Sequence, residues 1–242
     1  MLKVLELFSG TGSVGKVAKS LGWDVLSLDL ELEADIKIDI MDWDYKAYPR
    51  NSFDIVWASP PCTFYSNLQN CWLGIKKKDG TILTKELLEE QRKESDKLII
   101  KTLEIINYFN PELWFMENPQ RGQLKERDVV KGLNYYDVSY CMYSDWGYEK
   151  RTRIWTNKKN WNNLICDKSG SCGNMRDTSH KKVCDGGYDK RKKHKVDLGI
   201  FGETNKTERH KHSNCVQNVG GGTNRLERYR IPPDLIYSLF LD

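Results

Sequence analysis

The stretch KVLELFSGTGSVGKVAKSLGWDVLSLDL, residues 3–30, decides how the chain begins to fold. Residues 3–8 form a short apolar run typical of a buried strand, and residues 23–30 form a second one. Between them, helical spacing from Val14 ends at Gly22, which suits a helix C-cap. A strand, a glycine-containing turn, a helix and a second strand predict the first unit of a parallel α/β sheet.

Similar segments follow along the chain. Three more strands are predicted at residues 36–40 (IKIDI), 54–58 (DIVWA) and 113–116 (LWFM), and a long helix at residues 85–109. Near the end, Pro232 or Pro233 begins an apolar helical pattern that continues to Phe240. The order of elements predicts an α/β, Rossmann-like fold.

Composition excludes several classes of protein. The chain has 242 residues, 39% of them hydrophobic, and no apolar run approaches the ~18 residues of a membrane span. The first apolar run contains Glu6 and no basic segment precedes it, so we expect no signal peptide. Seven cysteines without a secretory signal indicate a reducing, intracellular location, either cytoplasmic or at the nucleoid or nucleus.

Charge is distributed unevenly along the chain. Residues 1–157 carry 21 basic and 24 acidic side chains, whereas residues 158–242 carry 17 and 10. Residues 158–223 are also poor in apolar residues and contain the basic run KRKKHK at 190–195. We therefore predict a core at 1–157, a small basic lobe at 158–223 and a C-terminal helix at 224–242 that returns to the core. A polyanion such as nucleic acid is the expected partner, the alternative being a solvated charged face.

The turn after the first strand carries Gly10-x-Gly12-x-x-Gly15. Glycines there let the backbone approach a ligand, and the helix N-terminus favours polar or anionic groups. The motif alone fits a nicotinamide cofactor and S-adenosylmethionine equally well, and a tight turn without a ligand is the other interpretation. Asp29 and Asp39, at the ends of the next two predicted strands, favour a bound cofactor with ribose and adenine groups.

Two candidate reacting groups stand at the ends of central strands. Ser59-Pro60-Pro61-Cys62 follows one strand, and the stiff proline pair presents the Cys62 thiol at the ligand-binding edge of the sheet. Glu117 ends the next core strand and should face the same edge. A thiol beside a carboxylic acid suits nucleophilic attack on a group that the acid activates.

Taken together, these motifs resemble the cytosine-C5 DNA methyltransferase family, in its short phage and large-virus form. The resemblance runs in order over most of the chain. Its matching segments are Phe8-Ser9-Gly10-Thr11-Gly12, Asp29, Ile38-Asp39-Ile40, Pro61-Cys62, Glu117-Asn118, Glu149-Lys150-Arg151-Thr152-Arg153 and Ile231-Pro232-Pro233.

The resemblance implies a Rossmann-like, S-adenosylmethionine-dependent methyltransferase core with a small C-terminal target-recognition lobe. It implies a methyl transfer to C5 of a cytosine flipped out of duplex DNA, by a protein that we expect to be a monomer. The implied catalytic residues are Cys62, Glu117, Arg151 and Arg153, with Arg153 contacting the base O2. The implied cofactor-binding residues are Phe8, Ser9, Gly10, Thr11, Gly12, Asp29, Asp39 and Pro60.

Some positions depart from the family pattern. Glu149 replaces a Gln, Pro119 replaces a Val, and Tyr229-Arg230 stand where Gly-Asn is usual. Two rival functions stay open at this point. One is cytosine-C5 methylation of tRNA or another RNA, and the other is a catalytically silent nucleic-acid-binding relative.

No metal is assigned to the predicted catalytic site. In the basic lobe, Cys166, Cys172, His180 and Cys184 supply the donor atoms of a tetrahedral zinc site. Their spacing is wider than the C-x-x-C of common zinc knuckles, which favours free thiols in a polar loop. Both interpretations of the cluster remain.

Overall fold

The computed structural model describes residues 1–76, 79–182 and 225–242. Four α-helices lie in these residues: α1 Ser13–Ser20, α2 Lys85–Phe109, α3 Arg225–Tyr229 and α4 Pro233–Leu241. The strands in the same residues are β1 Lys3–Leu7, β2 Asp24–Asp29, β3 Ile36–Lys37, β4 Ile55–Ala58, β5 Leu113–Pro119, β6 Tyr135–Ser139, β7 Arg151–Thr156, β8 Met175–Arg176 and β9 Ser179–His180.

Seven strands form one sheet in the order β3-β2-β1-β4-β5-β7-β6. Strands β1 to β5 pair in parallel, and β7 lies antiparallel between β5 and β6. The predicted α/β class is confirmed and the five predicted strands pair in parallel, whereas the antiparallel pair at this edge is additional to them. The sequence does not predict the β6–β7 pair, because two arginines in β7 occupy positions that are apolar in a typical strand pattern.

The chain order reverses between β1 and β4, where the chain leaves the centre of the sheet in two directions. Ligands of open α/β sheets bind at such a switch point, outside the carboxyl ends of the strands. The glycine turn follows β1 and the Pro60-Pro61-Cys62 segment follows β4. Both predicted motifs therefore flank the switch point.

Helices cover both faces of the sheet. Against one face, α1 and α4 bury apolar residues that include Val14, Val17, Leu235 and Leu239. The 25-residue α2 covers the other face with Ile99, Ile105 and Phe109 among its buried residues. Pro233 starts α4 as predicted, because its missing N–H is not needed in the first turn of a helix.

Part of the predicted basic lobe is described. Residues 158–182 contain the hairpin β8–β9, while Cys184 and residues 190–195 lie outside the described residues. The division into a core and a recognition lobe stays a prediction. Among the described helices, none combines the length and the apolar character that crossing a membrane requires.

Candidate active site

The loop after β1 has an unusual backbone. Phe8, Gly10 and Gly12 all have positive φ, at 55°, 57° and 65°. The left-handed region costs a residue with a Cβ about 1–2 kcal/mol, so the surroundings must hold Phe8 there. Two hydrogen bonds do so: the Ser9 N–H donates to the Leu28 carbonyl at 3.0 Å, and the Gly10 N–H to Asp29 Oδ2 at 2.8 Å. Strand β2 thus fixes the position of the loop.

The buried carboxylate of Glu6 holds the start of α1. It accepts hydrogen bonds from the N–H groups of Val14 at 3.1 Å and Gly15 at 2.9 Å. A Cβ on Gly15 would lie 2.7 Å from Glu6 Oε2, so the third glycine of the motif is needed for this close approach. Burial raises the pKa of Glu6 to about 7, although both N–H groups act in the opposite direction.

The raised pKa of Glu6 predicts a pH-dependent stability. Because the folded-state pKa lies above the ordinary 4.5, the stabilisation is complete below pH 4.5 and is lost as pH rises through 7. The free energy of unfolding of the wild type, relative to Glu6→Gln, should therefore fall by up to about 3 kcal/mol over this range. Urea unfolding of both proteins at about pH 4.5 and about pH 7 measures this difference in the free energy of unfolding. Equal differences at the two pH values would contradict the assignment.

A cleft of about 480 Å³ opens beside the glycine loop. The loop residues Ser9 to Gly12 line it, together with Glu6 and Leu226. The hydroxyl oxygen of Ser9 is buried there and has no hydrogen-bond partner among the described residues. A buried polar atom without a partner indicates a group that a ligand satisfies.

The two predicted acids both accept backbone hydrogen bonds, and Asp29 alone is seen to contact the glycine loop among the bonds described. Asp29 Oδ1 accepts the N–H groups of Glu31 and Leu32, both at 2.8 Å, and its Oδ2 accepts only that of Gly10 among the bonds described. A carboxylate oxygen has two acceptor sites, so Oδ2 can take one further hydroxyl donor. Asp39 follows β3 and accepts the N–H of Met41 at 2.9 Å, which fixes a short turn.

The segment carrying Cys62 is tied to the end of β5. Asn118, which is 1% exposed, donates from Nδ2 to the Pro60 carbonyl at 2.9 Å. Pro60 is buried, whereas Cys62 is partly exposed and forms no disulfide. Because Glu117 precedes Asn118, this hydrogen bond joins the strand that carries Glu117 to the segment that carries Cys62.

Helix α2 anchors the residues that follow Cys62. Arg92 donates to the Phe64 carbonyl at 3.2 Å, and the Tyr65 hydroxyl donates to Asp96 at 2.9 Å. Asp96 in turn binds Arg127 through a two-pronged ion pair. The thiol therefore stands on a loop that the protein holds rigidly.

Glu117 lies in a buried polar pocket. Its Oε1 accepts the Tyr140 hydroxyl at 3.2 Å and lies 3.4 Å from the Lys150 ammonium. Burial, with the adjacent carboxylate of Glu117, raises the pKa of Tyr140, so the phenol remains a hydrogen-bond donor. Lys150 also lies 4.7 Å from the centre of the Tyr140 ring and donates to the Arg228 carbonyl at 3.1 Å.

The two predicted arginines have other partners. Arg153 binds both oxygens of Asp137, at 2.7 and 2.8 Å, and stacks 3.6 Å above the Tyr135 ring. Arg151 binds Glu149 at 2.7 Å and the Cys166 carbonyl at 3.2 Å. Glu117 pairs with Ile154, whereas Asn118 pairs with Arg153, so strand alternation puts Arg153 and Glu117 on opposite faces. The contact of Arg153 with a base stays a prediction.

Cys166, Cys172 and His180 come together as the sequence suggested. Their partner in the structure is Cys141, the second residue after β6. All four ligand atoms lie within 4.8 Å of one another. Cys184, the fourth member of the predicted set, lies outside the described residues.

Comparison with known proteins decides the family. No family model matches the sequence. A protein of Frog virus 3 (isolate Goorha), described as a probable DNA (cytosine-5)-methyltransferase, is 35% identical over 240 residues, covering 98% of each chain. The chain belongs to the DNA (cytosine-5)-methyltransferase family.

Two solved structures are similar at lower identity. The Dnmt2 methyltransferase of S. pombe is 15% identical, with a TM-score of 0.44, over 74% of this chain and 57% of its own. A structure from E. coli, described as a prophage-encoded DNA modification methyltransferase, is 15% identical with a TM-score of 0.42, over 64% and 46%. This methyltransferase spans about half the length of those two chains.

Sequence reasoning missed two residues of this methyltransferase's candidate site. Lys150 belongs to the Glu149 to Arg153 motif. Because side chains alternate along a strand, Lys150 is expected on the face of the sheet that Arg151 and Arg153 do not occupy. Tyr140 carried no signal, because its contact with Glu117 depends on the unpredicted strand β6.

Proposed function

We propose that this protein transfers a methyl group from S-adenosylmethionine to C5 of cytosine in DNA. The observation that carries the proposal is the Asn118–Pro60 hydrogen bond, since it links the Glu117 strand to the Cys62 loop at the ligand-binding edge. Membership of the cytosine-5 methyltransferase family supports the choice of DNA as substrate.

Cys62 acts as the nucleophile. C5 of cytosine is a weak nucleophile, so the sulfur first bonds to C6 and turns the ring into an enamine with electron density at C5. After C5 has been methylated, a water molecule accepts the C5 proton, the electron pair of that C–H bond restores the C5–C6 double bond, and the sulfur–C6 bond breaks to return the Cys62 thiolate. The partly exposed position of Cys62 supports this role because a thiol packed in the core cannot reach a base.

Glu117 activates the ring. A hydrogen bond or a proton from this carboxyl group to N3 draws electrons from C6 as the sulfur attacks. The Lys150 ammonium and the Tyr140 hydroxyl lie beside Glu117, and both are donors that hold the carboxyl group in one orientation.

The cleft beside the glycine loop suits the methyl donor. Bound S-adenosylmethionine supplies an electrophilic methyl group on a sulfonium. Residues Phe8 to Gly12 would hold it, with the Ser9 hydroxyl gaining the partner it lacks among the described residues. Asp29 would accept a ribose hydroxyl on Oδ2, while Asp39 and Pro60 would border the adenine.

The base must leave the helix to meet these residues. A cytosine stacked in a duplex cannot present C6 to a thiol on a loop, so we propose that the target is flipped into the site. The basic run at residues 190–195 would contact phosphates, which position DNA without reading its sequence. A DNA substrate also agrees with the intracellular location inferred from the cysteines.

Methyl transfer to duplex DNA tests the function. Purified protein with labelled S-adenosylmethionine should methylate duplex DNA and leave tRNA unlabelled, and bisulfite sequencing should locate the product at C5 of cytosine. Labelling of tRNA alone would replace DNA by RNA as the substrate. Absence of label from both would identify a catalytically silent relative.

A further inference from the structure

Four metal-binding side chains from separate segments meet beside the β6–β7 hairpin. Cys141 lies in the 3₁₀ turn Tyr140–Met142, directly after β6. Cys166 and Cys172 follow β7, and His180 ends the β8–β9 hairpin. Their donor atoms, three sulfurs and one imidazole nitrogen, all lie within 4.8 Å of one another.

We propose that Cys141, Cys166, Cys172 and His180 bind one Zn²⁺ ion. With a zinc–sulfur distance of about 2.3 Å and a zinc–nitrogen distance of about 2.0–2.1 Å, a tetrahedral site separates sulfur from nitrogen by about 3.5–3.6 Å. His180 Nε2 lies 3.6 Å from the Cys166 sulfur and 3.7 Å from the Cys172 sulfur. The donor set and these separations are those of a Cys₃His zinc site.

Three of the four ligands are buried, and Cys172 is partly exposed. Cys141 and Cys166 are each 1% exposed, and His180 is 8% exposed. Four protein ligands leave no coordination position for water or substrate, so the ion would be structural rather than catalytic.

The backbone around the cluster is already fixed. Asn174, 2% exposed, donates from its amide to the Cys141 carbonyl at 2.8 Å and the Cys172 carbonyl at 2.9 Å. The Lys168 N–H points at the Cys166 sulfur from 3.4 Å. Such outer contacts orient metal ligands.

Residues 158–182 need a substitute for an apolar core. The buried residues of this segment are only Trp161, Cys166, Asn174 and His180. A short segment with so little apolar burial is commonly stabilised by a metal. Through Cys141, the ion would fasten this segment to the hairpin that carries Lys150 and Arg151.

The metal content of the purified full-length chain tests the site. Produced in zinc-containing medium, the wild type should hold about one zinc per chain, as measured by inductively coupled plasma mass spectrometry. Cys166→Ser, Cys172→Ser and Cys141→Ser should each lose most of that zinc. Cys71→Ser is the matched control, since Cys71 is a partly exposed cysteine outside the cluster, and it should retain the metal.

Measurements on the wild type avoid the possibility that a variant loses zinc because it has misfolded. Wild type loaded with Co²⁺ should show the visible bands of a tetrahedral ion and the near-ultraviolet sulfur-to-cobalt transition of three thiolates. EDTA should lower the melting temperature of the wild type, and added zinc should restore it. Neither readout needs methyl transfer, so failure of the proposed function would leave the result intact.

Two outcomes would overturn the proposal. A metal-free wild type whose melting temperature does not respond to zinc would remove the site. If Cys184→Ser lost its zinc while Cys141→Ser retained it, the fourth ligand would be Cys184 instead of Cys141, and the proposed ligand set would be wrong.

Discussion

Cys62→Ser should lower the rate of methyl transfer to DNA by at least about 10³-fold. A serine hydroxyl is a far weaker nucleophile at neutral pH than a thiol, and nothing else on the loop can add to C6. Binding of S-adenosylmethionine, measured by calorimetry, should change by less than about twofold, or 0.4 kcal/mol. The cofactor cleft is lined by the glycine loop and does not include Cys62.

Cys71→Ser is the control for this experiment. Cys71 is also partly exposed and lies nine residues further along, in the 3₁₀ segment Asn67–Trp72. The control should transfer methyl groups at the wild-type rate. Turnover by Cys62→Ser close to that rate would remove the nucleophile assignment.

Glu117→Gln should lower the single-turnover rate by about 10²–10⁴-fold, the usual contribution of a general acid or base. The amide keeps the size of the side chain and can still accept the Tyr140 and Lys150 hydrogen bonds, but it cannot release a proton to N3. DNA binding, followed by fluorescence anisotropy, should be nearly unchanged.

Glu112→Gln is the matched control, because Glu112 is exposed beside the opposite end of the same strand. It should leave the rate unaltered. An unaltered rate in Glu117→Gln as well would show that another group activates the ring. Lys150, which lies beside Glu117, would then be the first residue to substitute.

Much of the fold could be predicted from local pattern. The unit β1–α1–β2, the long helix Lys85–Phe109 and the proline-started α4 all carry unambiguous periodicity and capping signals. The alternation at residues 36–40 predicts a five-residue third strand, but only Ile36 and Lys37 pair with β2. Strand β2 ends at Asp29, the partner of Lys37, so the later residues have no strand beside them to pair with.

The sheet edge at β6 and β7 could not be predicted in the same way. Strand β7 places Arg151 and Arg153 on one face, where Glu149 and Asp137 neutralise them, so charged residues occupy positions that usually read as apolar. Pairing of this kind depends on side chains distant in sequence. The contact between Glu117 and Lys150 and the position of Cys141 both follow from it.

The candidate residues themselves were accessible to sequence reasoning, but their contacts were not. The sequence reveals Cys62 because it follows a strand of the central sheet, and Glu117 because it stands near the end of the neighbouring strand. The Asn118–Pro60 hydrogen bond that joins their strands has no sequence signal, since neither residue type requires the other.

Trapping by 5-fluorocytosine tests the central claim most directly. The elimination step removes a proton from C5, and a fluorine in that position cannot be removed in the same way. Duplex DNA with 5-fluorocytosine at the target should therefore remain bonded to the protein after methylation. With S-adenosylmethionine present, we expect a denaturation-resistant complex that mass spectrometry assigns to the Cys62 peptide and that Cys62→Ser does not form. Methylation of ordinary DNA by a protein that gives no such complex, or one bonded through another residue, would contradict the account.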